Sequence, residues 1–504
     1  MPASTTALAS DFPDWLSPIL VKELRQGLKA RLFVGVFILL QVAMIILLGL
    51  ELVNVENQSN TRTDGFDFCF WLATAVSFIA LAPVRGLTTL SEEQKINTLD
   101  LVQLSHLGSL RMVWGKWLAL AVQTFLLATT ILPYVVLRYF ISKINVFDEI
   151  SVLVIFLVVS LVLTALTVTL STSTLLVRCL VLAALFPVLA YLLRFVEMMH
   201  TSFGTSGEPF AFFFGTWLQT LLSVFVFAAY TFYFLEIAAA RIAPASENHA
   251  RIKRGVCHTI QFLLIILGLT AQREAGRFFF VAFIPLIFWS IVEALCEPTS
   301  HLPCIYQPFY SRSSFRRLLG KVYLPGWASG VVYAVVSVFL FILCALVISP
   351  QVNDLLELVF IATLLLTGFI NPLLFLLAFR PRQNRMWYYV LAVLLHGIIF
   401  LISAVSGTFN PTRHTMPGWL AAFPTAILFG MMFEALNTET MKSVAVPFFL
   451  CAIIYGSIHT YFVKREFRRM RGFAVADHVL EDAPVDAPQT PPEQPTLRVP
   501  DLLE

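Results

Sequence analysis

The apolar residues of this chain come in long uninterrupted runs rather than in alternation. Thirteen blocks stand out: 32–53, 67–84, 113–137, 150–175, 178–199, 211–237, 258–271, 277–296, 326–349, 355–379, 386–406, 417–436 and 443–463. About 20 helical residues, at about 1.5 Å each, cross the roughly 30 Å hydrocarbon core of a bilayer. No water reaches backbone groups there, so only helices and closed barrels can span it. The runs are continuous, unlike the short alternating strands of a barrel, and each is read as a helix. Composition agrees. Of 504 residues, 58% are apolar and 13% charged, against roughly 45–50% and 25% in soluble chains. That is too little charge to cover a soluble fold of this size. The expected fold is all-α: a polytopic membrane bundle of about 12 transmembrane helices. A water-soluble enzyme, a nucleic-acid binder and a secreted disulfide scaffold are excluded.

The charges between the blocks set the orientation. Basic clusters occur at Lys22/Arg25/Lys29/Arg31, Arg85–Lys116, Arg251/Lys253/Arg254, Arg312/Arg316/Arg317/Lys321, Arg380/Arg382/Arg385 and Lys464–Arg471. Up to residue 385 they fall on every second connection, which is the positive-inside pattern and places the N-terminus in the cytoplasm. Thirteen crossings would export the cluster after 463 and leave 21 of the 34 Lys and Arg residues inside. If block 417–436 does not cross, 26 of the 34 are inside. Pro417, Pro424, Gly418, Gly430 and Glu434 make that block the weakest helix, so residues 411–442 are expected to form a re-entrant or surface-lying element on the outer face. Block 258–271, short and marginal, is the rival non-spanning segment; dropping it would export Arg312–Lys321. The expectation is twelve spans in a cell membrane, the bacterial inner membrane, with both termini cytoplasmic. Residues 1–31 hold no apolar run that would act as a cleavable signal, so the first span is expected to serve as its own insertion signal.

Absent motifs also inform. Gly115-Lys116 and Gly320-Lys321 lack the upstream glycine and the following Ser or Thr of a phosphate-binding loop. No HExxH occurs, no Ser/His/Asp set is legible from spacing, and the seven cysteines form no CxxC pair. They read as small hydrophobes. The chain itself is expected to hold no metal or cofactor.

Two polar segments carry pattern. In 18–31, Leu20, Leu24 and Leu28 share one helical face while Lys22, Arg25 and Lys29 lie off it. Such a helix lies along an inner membrane surface, its cations at anionic headgroups. The plain alternative is a basic juxtamembrane stop. The connection 85–116 contains Glu92, Glu93, then Thr98-Leu99-Asp100-Leu101, with Leu99, Val102 and Leu107 giving an apolar side. Thr98 is placed to cap a short helix. The plain alternative is a solvated loop.

Taken together, "PILVKELRQGLKARLF" and "LSEEQKINTLDLVQLSHLGSLRMVWGK" resemble the membrane subunit of ABC-2 type transporters. The first resembles that family's interfacial connector helix. The second resembles its acidic pair, Gly-Thr-Leu, Leu-rich stretch and Gly-Lys entering the third span, with Asn97 where the family has Gly. The likeness covers 18–120 and, in layout, the six spans to about 242. It implies a permease that forms the translocation path, is driven by ATP hydrolysed on a separate ATPase subunit, and works in export. Glu92, Glu93, Thr98, Leu99, Asp100 and Leu101 would couple to that ATPase. A homodimer or a second permease chain would complete the transporter. The organisation expected is a connector at 1–31, an ABC-2-like membrane domain at 32–242, a second membrane region of about six spans at 243–463 and a disordered cytoplasmic tail at 464–504, basic and then acidic and Pro-rich. The alternatives are a membrane-embedded lipid or glycan transferase and a non-transporting scaffold. The lipid bilayer is a partner in every reading, and nucleic acid in none.

Ionisable groups inside spans are costly and mark either function or local pairing. Arg194 and Glu197 are spaced to pair on one helix face. Glu236, Glu293, Glu357 and Glu434 lie within or at the ends of apolar blocks. His396 and His459 also lie in spans, where packing is the plainer reading. Asn371-Pro372 should kink its helix.

Overall fold

Helix is the only regular structure among the described residues, as backbone in an apolar medium requires. The computed structural model describes residues 18–57, 64–91, 108–142, 146–173, 178, 217–244, 246–270, 273–299, 302, 305–306, 314–348, 355–379, 385–405, 418–432 and 438–481. In chain order the helices are α1 (Pro18–Leu28), α2 (Arg31–Asn57), α3 (Asp64–Ala75), α4 (Ser109–Ser142), α5 (Val146–Leu170), α6 (Trp217–Ile242), α7 (His249–Leu269), α8 (Arg273–Cys296), α9 (Ser314–Tyr323), α10 (Trp327–Ile348), α11 (Leu355–Ile370), α12 (Pro372–Phe379), α13 (Arg385–Val405), α14 (Pro424–Met432) and α15 (Thr438–Glu481). Eleven described segments are long and apolar enough to cross a membrane.

Their outward faces suit lipid. α2 exposes Leu39 at 62% and Ile45 at 60%, while Leu40 and Met44 on its other face are buried against α3 and α4. Exposed apolar surface on this scale belongs in a membrane or an interface. The largest buried cluster joins α4 to α8, α10 and the ends of α11 to α13.

α3 does not end as an ordinary helix. It runs into a π-helical stretch, Val76–Leu81, where the Ala82 N–H bonds Ser77 O, five residues back. One further turn leads to a 3₁₀ turn at Arg85–Leu87. That turn packs on α5 so tightly that a Cβ on Gly86 would overlap the Thr167 side chain.

Block 258–271 is not short. α7 begins at His249, where Asn248 Oδ1 accepts the Arg251 N–H at 3.4 Å, and the helix runs 21 residues. Hydropathy placed the start too late because the first turns carry Lys253 and Arg254. Both are buried against partners described below. Residues 418–432 form a 3₁₀ turn at Gly418–Ala422 and then α14. With nine residues at about 1.5 Å each, α14 covers under half of the hydrocarbon core. Most of block 178–199 lies outside the described residues.

The kink expected at Asn371-Pro372 is present as the break between α11 and α12. Pro372 has no N–H for the Gly368 carbonyl, and Thr425 Oγ1 on α14 donates to it at 2.9 Å. Tyr389 Oη on α13 donates to the Phe369 carbonyl at 2.6 Å. The Leu374 N–H turns to Asn371 O, and His459 Nε2 on α15 lies 3.1 Å from the carbonyl it leaves, Ile370 O. Side chains from three helices thus serve three consecutive carbonyls.

α8 and α10 cross at Gly330, where a Cβ would overlap the Ala294 carbonyl. Backbone cannot yield as a side chain can. Gly330→Ala is therefore expected to destabilise by roughly 1–3 kcal/mol through overpacking. Gly49→Ala on the open face of α2 should be neutral or gain up to about 1 kcal/mol from helix propensity. Thermal unfolding of both variants in detergent, against the parent chain, checks the contrast.

Candidate functional site

Three polar groups lie around the starts of α4, α7 and α10. The first surrounds the segment that carries the acidic pair. α1 packs on the start of α4, its Leu20 buried and its Leu24 half-buried, while Lys22, Arg25 and Lys29 are exposed. Lys116 Nζ on α4 is buried and donates to Glu23 Oε1 at 3.0 Å. Arg85 Nη2 donates to the Gly27 carbonyl at 3.2 Å, its guanidinium 5.0 Å from the Phe33 ring centre. Arg85 precedes residues 92–107 and Lys116 follows them. α1 is thus tied to both flanks of one connection.

The second group lies beside it. Ser109, first residue of α4, donates through Oγ to Glu247 Oε2 at 2.8 Å. His249, first residue of α7, has Nε2 2.8 Å from the same Glu247 oxygen. Its Nδ1 is 2.7 Å from Oε1 of Glu236, which is wholly buried on α6. Ser109 Oγ is also 3.2 Å from His249 Nε2. Ser, His and Glu stand in the order of a nucleophilic triad, but Ser109 Oγ faces the Glu247 carboxylate as well as the ring, and both ring nitrogens of His249 face carboxylate oxygens. The group clamps α4, α6 and α7 together. α5 is tied to α6 nearby: Arg241 Nη1 donates to Thr169 O at 2.7 Å and to Ser173 Oγ at 2.9 Å.

The third group is buried ion pairs. Lys253 on α7 pairs with Glu293 on α8 and with Glu297 at 3.2 Å. Arg254 Nη2 donates to Glu297 Oε2 at 2.6 Å. Its Nη1 reaches the Val322 and Leu324 carbonyls, both at 2.7 Å, and Ser329 Oγ at 3.0 Å. Arg385 at the start of α13 donates to the Glu297 carbonyl at 3.3 Å. Two cations face two carboxylates, with the spare guanidinium donors taken by backbone, as buried charge demands. Burial works against the Glu297 carboxylate, but Lys253 and Arg254 outweigh it and hold its pKa below the ordinary 4.5.

At the opposite end of α4, Arg138 is wholly buried between Glu149 (2.7 Å) and Glu51 (3.3 Å), over the Phe70 ring. Among the described residues, no group of three or more His, Cys, Asp or Glu side chains is arranged to hold a metal ion.

Of the candidates read from sequence, Lys22, Arg25, Lys29 and Glu236 are described as above. Glu92, Glu93, Thr98, Leu99, Asp100, Leu101, Arg194, Glu197 and Glu434 lie outside the described residues. Sequence reasoning missed His249, Glu247, Lys253, Arg254, Glu297 and Arg138 as partners. Most of their partners lie far away in the chain, and their one signal was polar residues at the edges of apolar blocks. No protein-family model, no curated protein and no solved structure matches this chain.

Glu297→Gln would leave Lys253 and Arg254 buried with one carboxylate between them. The expected cost is about 3–5 kcal/mol, read as a lower unfolding midpoint in detergent. Because the folded-state pKa of Glu297 is lowered, its contribution is complete above about 4.5 and fades as pH falls further. The parent's midpoint should therefore drop on acidification more steeply than the variant's.

Proposed function

We propose that this chain is the membrane subunit of an ABC-2-like transporter. It forms the translocation path and exports its substrate using ATP hydrolysed by a separate ATPase subunit. The observation that carries the reading is the double tie of α1. Lys116–Glu23 and Arg85–Gly27 join the basic amphipathic helix to both flanks of residues 92–107, and those two segments bear the family resemblance. Force applied at the connection would pass through Lys116 into α4 and through Glu23 into α1. From α4 it would reach α6 and α7 through Ser109, Glu247, His249 and Glu236. In this reading the polar end faces the cytoplasm, both termini lie there, twelve spans cross, and 411–442 is re-entrant on the outer face.

Purification of the full chain from its native membranes should bring down a subunit with a phosphate-binding loop, and lipid reconstitution of the pair should yield ATPase activity. Replacing Glu92 and Glu93 together with Lys should detach the ATPase or lower its transport-linked rate at least about tenfold, with membrane insertion intact. If the double variant keeps both partner and rate, the assignment of this connection is wrong.

Leu24→Asp, a charge on the half-buried stripe of α1, should free that helix from the inner leaflet and reduce coupling. Depth measurements with labels at Leu20 and Leu28 check it, and full water exposure of both positions in the parent would contradict the interfacial placement. Cysteine labelling at Asn437 or Thr440, in a background without native cysteines, tests the topology. Reaction only from the cytoplasmic side would overturn the re-entrant assignment.

A further inference from the structure

α10, α11 and α15 do not close on one another. Between them lies a groove of about 950 Å³, at the upper end of the roughly 300–1,000 Å³ typical of small-ligand sites. Along α15 its wall runs from Phe449 to Arg471, and the part before the first cation, Phe449 to Val463, is roughly 21 Å long at about 1.5 Å per residue, more than half of the hydrocarbon core. Val335, Val359, Leu366, Phe449 and Ile453 make it apolar. Four of the polar side chains in that wall, Thr363, Thr367, Tyr455 and His459, are already met from within, and Asn371 and Thr460 line it as well. Thr363 and Thr367 donate to carbonyls of their own helix, both at 2.7 Å. Tyr455 Oη donates to Ala422 O at 2.7 Å, and the two ring nitrogens of His459 face Tyr455 O and Ile370 O. The wall asks for a hydrocarbon chain. Ile453 is 66% exposed and Gly456 has open space beside it, so the groove opens sideways, where lipid can enter.

One end differs. Lys321 from α9 and Lys464, Arg468 and Arg471 from α15 line the mouth, and no Asp or Glu lines the groove with them. All four are exposed, and none forms an ion pair among the described residues. This is the end at which Met470 packs near Gly326 and Arg254 reaches the Leu324 carbonyl, the cation-rich end of the bundle. A long apolar slot with a cationic rim matches one amphiphile. Clusters of Lys and Arg at a membrane surface attract anionic headgroups, and a buried acyl chain adds hydrophobic affinity.

We propose that this groove is a binding site for one anionic phospholipid, its acyl chain along α15 and its phosphate among Lys321, Lys464, Arg468 and Arg471. The inference does not depend on the transport reading, because the groove lies in the part of the chain outside the family resemblance.

The test is native mass spectrometry of the purified full chain in detergent. Phosphatidylglycerol is added in one arm and phosphatidylcholine with the same acyl chains in another. One equivalent of phosphatidylglycerol should be retained about tenfold better than phosphatidylcholine. Lys464→Gln, Arg468→Gln and Arg471→Gln combined should lower phosphatidylglycerol occupancy about tenfold, to the phosphatidylcholine level. Gly456→Leu, whose Cβ would meet nothing within 4 Å, puts its side chain in the groove and should reduce occupancy by both lipids. Arg316→Gln with Arg317→Gln, exposed on α9 but outside the groove, should change neither. Equal retention of the two lipids would overturn the proposal. So would undiminished phosphatidylglycerol in the triple variant, which would place the lipid elsewhere. Full occupancy in Gly456→Leu would reduce the mouth to a surface attraction without an acyl site. Lipid retained only after the acidic residues 477–504 are deleted would give the mouth to that segment instead.

Discussion

In hydrocarbon, a hydrogen-bonding group finds only what the chain itself supplies, and the packing of this bundle follows from that. The break at Asn371-Pro372 shows it in the backbone. Proline leaves the Gly368 carbonyl without its helical donor, the redirected Leu374 N–H leaves Ile370 O, and side chains from α13, α14 and α15 converge there. The kink is thereby a junction: the helices that complete it are held in register by it. The same rule governs charge. Arg254 is buried with donors engaged by one carboxylate, two carbonyls and a serine hydroxyl, so the chain around Val322–Ser329 is shaped to that guanidinium.

The two ends of the bundle solve the problem differently. At the far end a single guanidinium, Arg138, gathers Glu51 of α2 and Glu149 of α5. At the polar end the ties run from helix start to helix start: α1 to α4, α4 to α7, and α7 to the α9–α10 junction. Displacing the start of any one of these helices strains a bond to the next. That makes this end the place where a push from outside the membrane would spread.

The helices themselves were legible in the sequence because the membrane reads hydropathy in the same way. The break at Asn371-Pro372 was legible too, because proline acts locally. The start of α7 was not. Lys253 and Arg254 read as a basic cluster on a connection between apolar blocks, and only partners 40 to 44 residues away let them enter the bundle. The intramembrane Glu236 was visible as an anomaly, but its meaning came from His249 and Glu247, which lie beyond its own helix. The groove was invisible for a related reason. Its walls come from three helices whose individual patterns are ordinary, and only their failure to close makes a site. The basic residues after 463 were read as a topological signal alone, although α15 brings part of that cluster to the rim of an apolar slot.

The π-helical stretch at Val76–Leu81 has a geometric consequence for α1. Each residue of an α-helix turns the chain by about 100°, and a π turn holds one residue more than an α turn over the same path. The face of α3 that packs with Phe70 and Trp71 is therefore out of phase with the turn that follows. That offset lets Gly86 seat on Thr167 of α5 while Arg85 reaches Gly27. With one residue removed from 76–81 the span would keep its length and apolarity. Its exit would swing about a quarter turn away from α1, so the direction in which the chain leaves this helix is set by a single inserted residue that hydropathy does not register.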